Sequence, residues 1–154
     1  MYGEGVSQVQ NEPMSSPARG APWPLVAAVS AGGALGALVR HGLDVLGPQS
    51  ASGVSWTVLA VNVSGSLLIG LLMELIAHRR PGNRFVRPFW GTGFLGGYTT
   101  FSAYAMDVVS ALERGAPQVA LAYLALTLAG ALTAAWAASS LAHRFLSHGG
   151  GRDR

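Results

Sequence analysis

The chain contains no cysteine and no lysine. Without cysteine it can form no disulfide, thiolate metal site or cysteine nucleophile, and the redox compartment stays open. Without lysine, all ten basic side chains are arginine, a bias that by itself points to no function. Charge of either sign is scarce: 11% of the 154 residues are charged, against about 25% in an average soluble domain. So few charges cannot solvate a globular surface. No acidic residue falls between Glu74 and Asp107, and these two read as helix-end charges in solvated mouths. The four histidines sit at helix ends or in tails. No metal-ligand set, nucleophile pair or buried acid and base couple is visible, so the chain is not expected to be an enzyme. A net charge of +3 and a pI near 10 would ordinarily suggest nucleic acid. Here the arginines flank apolar runs, where they act as topology signals, and no nucleic-acid partner is expected.

Half of the residues are hydrophobic, and they fall into four runs. These lie at about 24–46, 54–77, 89–112 and 118–141. Each exceeds the ~20 residues a helix needs to cross the ~30 Å hydrocarbon core. The fold class that follows is an all-α integral membrane protein with four transmembrane helices in one domain, residues 23–143. Residues 1–22 mix Gly, Ser, Gln, Pro and Glu without apolar periodicity and read as a disordered tail. They lack the basic start and cleavage site of a signal peptide. Residues 144–154 read as a short polar tail. Four spans put both termini on one side of a cell membrane. Arg19, Arg79, Arg80, Arg84, Arg87, Arg144, Arg152 and Arg154 lie on that side, with Arg40 and Arg114 opposite. The positive-inside rule therefore places the termini in the cytoplasm.

Small residues suggest how the spans pack. Gly32 and Gly36, and Gly93 and Gly97, form small-xxx-small ridges that let backbones approach closely. Four short helices enclose little interior, so a solute path is more easily built between two copies, and a dimer is expected. The third run is unusual: GTGFLGGYTTFSAY, from Gly91 to Tyr104, packs glycines and hydroxyl residues into the middle of a span. Gly costs about 1 kcal/mol in a helix and β-branched Thr adds more. One reading is a helix broken near mid-membrane, whose freed carbonyls and amides bind ions. The other is a Gly-rich packing helix whose hydroxyls bond back to their own i−4 carbonyls. Composition alone leaves both open.

The stretch GFLGGYTTFS resembles the third-helix motif GFxGGxTTFSTF of the CrcB/Fluc family of small fluoride channels. GGALGALVRHGL resembles that family's first-helix GGxxGAxxRY, and LAVNVSGSLLIG its second-helix TLxVNxxGSFxxG. The resemblance runs from about Gly32 to Leu141 in the family's order and spacing. It implies a fluoride-selective channel in the membrane lipid, built as an antiparallel dimer with two narrow pores and a structural sodium ion at the centre. Carried onto this chain, the sodium ligands are the backbone carbonyls of Gly96 and Thr99. The anion path matches Asn62, Phe101, Ser102 and Tyr104, with Tyr123 and Thr127 one helical turn apart as a polar track. Arg40 corresponds to an arginine near the aqueous vestibule.

This sequence departs from the family pattern at several positions: Tyr104 replaces the second Phe, Ala103 a Thr and Val58 a Thr, and Ala131 stands where the polar track would continue. The polar path is thinner than the family's. Eight arginines against two also suit one fixed orientation, so a heterodimer with a homologous, oppositely inserted subunit competes with a homodimer. Two other functions are open. A small multidrug-type antiporter needs a membrane-centred carboxylate, and the first helix offers only Asp44 near its end. A non-conducting scaffold would use the glycines for packing alone.

Overall fold

A computed structural model describes residues 23–48, 54–78 and 83–149. The expected N-terminal tail, Arg79 and Arg80 of the hinge, and the last five residues lie outside the described residues. All regular structure within them is helical: α1 Trp23–Leu46, α2 Trp56–His78, α3 Arg87–Leu95, α4 Gly96–Tyr98, α5 Ser102–Glu113 and α6 Pro117–Gly149. Among the described residues three helices, α1, α2 and α6, are long and apolar enough to cross a membrane. The chain is a multi-pass membrane protein, which explains its exposed Leu38, Leu132 and Trp136. In lipid such side chains lie against acyl chains as apolar as themselves.

The first two helices fall close to where hydropathy puts them. The last runs on through Gly149 where the apolar pattern ends near Leu141. The extension carries His143 and Arg144, so it can leave the hydrocarbon without ending the helix. Its start is a tight turn. Gly115, at φ 71°, lets the Gly115 amide donate to the Leu112 carbonyl (2.9 Å) and the Ala116 amide to the Ala111 carbonyl (3.0 Å). This is a Schellman end, and the left-handed residue it requires is most cheaply a glycine.

The third run folds least regularly. Arg87–Leu95 is π-helical, with Pro88 at its start, where a missing amide is harmless. A π turn bonds i to i+5, so it shifts the phase of everything that follows. The helical path then stops at Tyr98: Thr99 is extended (φ −77°, ψ 159°), and helix resumes at Ser102.

α1 packs on α3 and α4, and α2 on α6, with α5 also against α6. The glycine ridges explain the first contact. A Cβ on Gly32 would strike the Phe89 carbonyl, one on Gly36 the Phe94 carbonyl, and one on Gly97 the Gly33 carbonyl. The backbones therefore lie directly on each other. Few large side chains are fully enclosed; the main apolar cluster joins Val54, Ala111, Ala120 and Tyr123.

Candidate functional site

The interruption after Tyr98 is fastened by α2. Asn62 donates from Nδ2 to the Thr100 carbonyl and accepts from the Thr100 amide at Oδ1, both at 2.9 Å. One amide side chain thus takes both polar groups of a residue that has left the helix, as buried backbone groups demand. Thr100 in turn accepts the Ala103 amide at Oγ1 (3.2 Å), the contact by which a threonine caps a helix, here α5.

These two bonds have a consequence for the chain just before them. In an unbroken helix the Thr100 amide would bond to the Gly96 carbonyl, and the Ala103 amide to that of Thr99. Both amides are diverted to side chains, so both carbonyls lose their helical donors. The Gly97 carbonyl, whose i+4 residue lies past the break, accepts from Arg40 Nε at 3.3 Å. Thr99 also bonds back from Oγ1 to the Leu95 carbonyl (2.9 Å), as the packing-helix reading anticipated, yet the helix stops there. Tyr98 shares a 2.9 Å hydrogen bond with Ser64 and stacks on Phe94. Gly65 gives Thr99 room, since a Cβ there would overlap the Thr99 methyl.

Two open hollows flank the break. One, of about 220 Å³, is lined by Gly65, Ser66, Ile69, Gly91, Leu95, Gly96 and Thr99. Among the described residues, and apart from its own helix, nothing lies within 4 Å of where a Gly96 side chain would begin. The other, about 520 Å³, is lined by Asn62, Ser66, Thr99, Thr100, Phe101, Tyr104, Leu124, Thr127, Leu128 and Ala131. Its walls are mostly apolar. Thr127 is 5% exposed, and its Oγ1 has no hydrogen-bond partner among the described residues. A buried hydroxyl without a partner is uncommon, because desolvating it costs about 1–3 kcal/mol.

Of the residues singled out in the sequence, Asn62, Phe101, Tyr104 and Thr127 meet around the larger hollow. Phe101 is 80% exposed, its ring tilted against that of Tyr104. The Tyr104 hydroxyl is turned to the Leu124 carbonyl at a long 3.4 Å. Ser102 and Tyr123 are not part of this lining. Ser102 Oγ sits 3.3 Å from Thr100 Oγ1. The Tyr123 hydroxyl lies 3.0 Å from both the Ser55 carbonyl and Asp107 Oδ2. Asp107 Oδ2 also accepts the Ser55 amide at the head of α2 (3.0 Å). Asp107 is therefore a clasp between helices. Arg40, expected near a vestibule, ties α1 to the break and pairs with Asp44 one turn on (3.7 Å). Asp44 is thereby engaged at a helix end, which does not suit proton exchange at mid-membrane.

Ser66 and Thr100 were missed. Ser66 stands four residues after Asn62, on the same helical face, a spacing that could have marked it. Thr100 stands inside the TTFS motif, but its role depends on a partner 38 positions away.

Comparison with known proteins gives consistent matches. The family model described as CrcB-like protein, Camphor Resistance (CrcB) matches residues 27–139. A Streptomyces coelicolor protein named "Fluoride-specific ion channel FluC 1" is 47% identical over 123 residues, 80% of either chain. "Fluoride-specific ion channel FluC 2" of Thermobifida fusca is 48% identical over 117 residues, 76% of this chain and 87% of that one. The Nocardia farcinica protein of the same name is 44% identical over 121 residues, 77% and 86% of the two chains.

Proposed function

This chain belongs to the CrcB-like family, and from that premise we propose that it is a fluoride-selective channel whose pore runs past the break at Thr99. The observation that carries the reading is the hollow beside that break. An apolar-walled cleft with one buried, unpartnered hydroxyl at Thr127, the exposed ring of Phe101 and the anchored amide of Asn62 suits a small, strongly hydrated anion. Such an ion needs donors that replace water without gripping it. Thr127 Oγ–H offers one. The second Nδ2 hydrogen of Asn62 offers another, the first being held by Thr100. The edge of the Phe101 ring carries the positive part of its quadrupole.

On this reading α3 to α5 together form the third of four spans, with its break near mid-membrane, and two copies or two homologous chains pair in antiparallel fashion. Exposure of Phe101 in the single chain supports a partner there. The Gly96 and Thr99 carbonyls, deprived of helical donors and bordering the smaller hollow, fit a structural sodium ion shared between subunits. Bound sodium supplies fixed positive charge at the subunit junction. Carbonyl oxygens suit such a hard cation, which explains how it can be held without a carboxylate nearby. Fluoride entering a cell as its neutral weak acid ionises in the cytoplasm, and the inside-negative potential then drives it outward through the channel.

The test is efflux from liposomes carrying this chain alone, followed with a fluoride electrode and with chloride as the control anion. Rapid efflux of fluoride only is the expected result. Silence from folded, inserted protein, both alone and with a homologous partner chain, would overturn the proposal.

A further inference from the structure

We propose that Glu74, His78 and His143 form a binding site for a divalent transition-metal ion of the zinc class, independent of the anion path. Sequence reading found no ligand set because its members come from two helices 69 positions apart. Folding brings them together. Glu74 and His78 lie one turn apart at the end of α2, and His143 reaches them from α6. Where α2 and α6 meet, Gly70 lies against the Ala135 carbonyl so closely that no Cβ would fit. That contact fixes the spacing of the helices leading into the cluster.

The donor geometry suits a metal. One ligand atom from each residue lies within 4.8 Å of the other two. Glu74 Oε1 is 2.6 Å from His143 Nδ1 and 3.2 Å from His78 Nδ1. Around a tetrahedral ion with bonds of about 2.0–2.1 Å, neighbouring donors stand about 3.3 Å apart. The His78 pair already has that spacing, and the His143 pair needs to open by only about 0.7 Å. His78 Nδ1 also lies 3.1 Å from the Glu74 backbone carbonyl, a contact it exchanges for the ion. The two rings meet edge to face, 5.2 Å between centroids.

Two imidazoles and a carboxylate favour zinc, copper or nickel over magnesium or calcium, which prefer all-oxygen shells. Three protein ligands leave a fourth position for water, and exposure provides the way in: His143 is 63% exposed and Glu74 19%. A bound ion would pin the last turn of α2 to α6.

The test uses the full chain, purified in detergent without a histidine tag, stripped by chelator and titrated with Co²⁺ as a spectroscopic probe. Saturable visible bands at one ion per chain, displaced by Zn²⁺, are expected. Glu74→Gln, His78→Ala and His143→Ala should each weaken binding more than about 10-fold, the smallest loss typical when a group that merely orients a metal ligand is removed. His41→Ala should leave it unchanged. Zn²⁺ should also raise the Tm of the wild-type protein and not of Glu74→Gln, a near-isosteric variant that keeps the helix intact. Absent or unsaturable bands, or bands indifferent to all three substitutions, would overturn the site and leave a hydrogen-bonded cluster only.

Discussion

On its α1 side, the segment from Arg87 to Tyr98 is gripped backbone to backbone, through Gly32, Gly36, Gly93 and Gly97. On its α2 side it is met by side chains, Ser64 at Tyr98 and Asn62 at Thr100 just past its end, with hollows beside them. The first contact has no slack, because neither wall can turn aside. The second leaves room, and what fills it is decided by hydrogen bonding. One face of the same segment is therefore specified by shape and the other by polarity, so substitutions on the two should fail in different ways.

The largest effect is expected on the tight face. Gly36→Leu puts a branched side chain against the Phe94 carbonyl and should cost at least ~3 kcal/mol, the upper end for overpacking, since backbone cannot yield. Size-exclusion chromatography in detergent should show loss of monodisperse protein. Next comes Asn62→Ala, which strands both backbone groups of Thr100 and should cost about 2–3 kcal/mol. Folded protein should remain, with a lower Tm and fluoride efflux reduced about tenfold or more, a barrier change of about 1.4 kcal/mol. Asn62→Asp, which keeps only the acceptor, should not restore efflux.

Thr127→Val sharpens the comparison most, because it should separate the two readouts. Replacing an unpartnered buried hydroxyl by a methyl of similar shape should leave Tm unchanged or slightly higher. Fluoride efflux should nonetheless fall several-fold. If Tm and efflux fell together, Thr127 would be part of the packing and not of the path. The smallest effect is Arg40→Gln, which shortens the reach to the Gly97 carbonyl and removes the pair with Asp44. A partly exposed pair of this kind contributes at most about 1 kcal/mol, so a Tm shift of a few degrees is expected.

These two faces were unequally legible in the sequence. Apolar run lengths locate α1, α2 and the start of α6, because crossing hydrocarbon leaves a helix few alternatives. The glycine spacing exposed the tight face, since a missing Cβ is written directly in the residue type. Gly-Gly-Tyr-Thr-Thr likewise marked where helix would be hard to keep. The polar face was only half readable. Asn62 stood out as an amide within an apolar run, but its partner is the backbone of Thr100, and backbone groups carry no signature in sequence. The partners of Tyr123, the Ser55 carbonyl and the Asp107 carboxylate, lie 68 and 16 positions away and carry no local signal either. The π-helical stretch and the extension of α6 to Gly149 had no local signal at all, because close packing on α1 and a gradual exit from lipid are tertiary properties.

The clamp of Asn62 on Thr100 also bears on the order in which the molecule is made. Unpaired backbone groups in hydrocarbon cost several kcal/mol each, so the stretch around Thr99 cannot rest in the bilayer on its own as an ordinary helix does. Its missing partner belongs to α2, which leaves the ribosome first. If α3 to α5 cross the membrane as proposed, that irregular span would gain its backbone partners only by docking alongside α2.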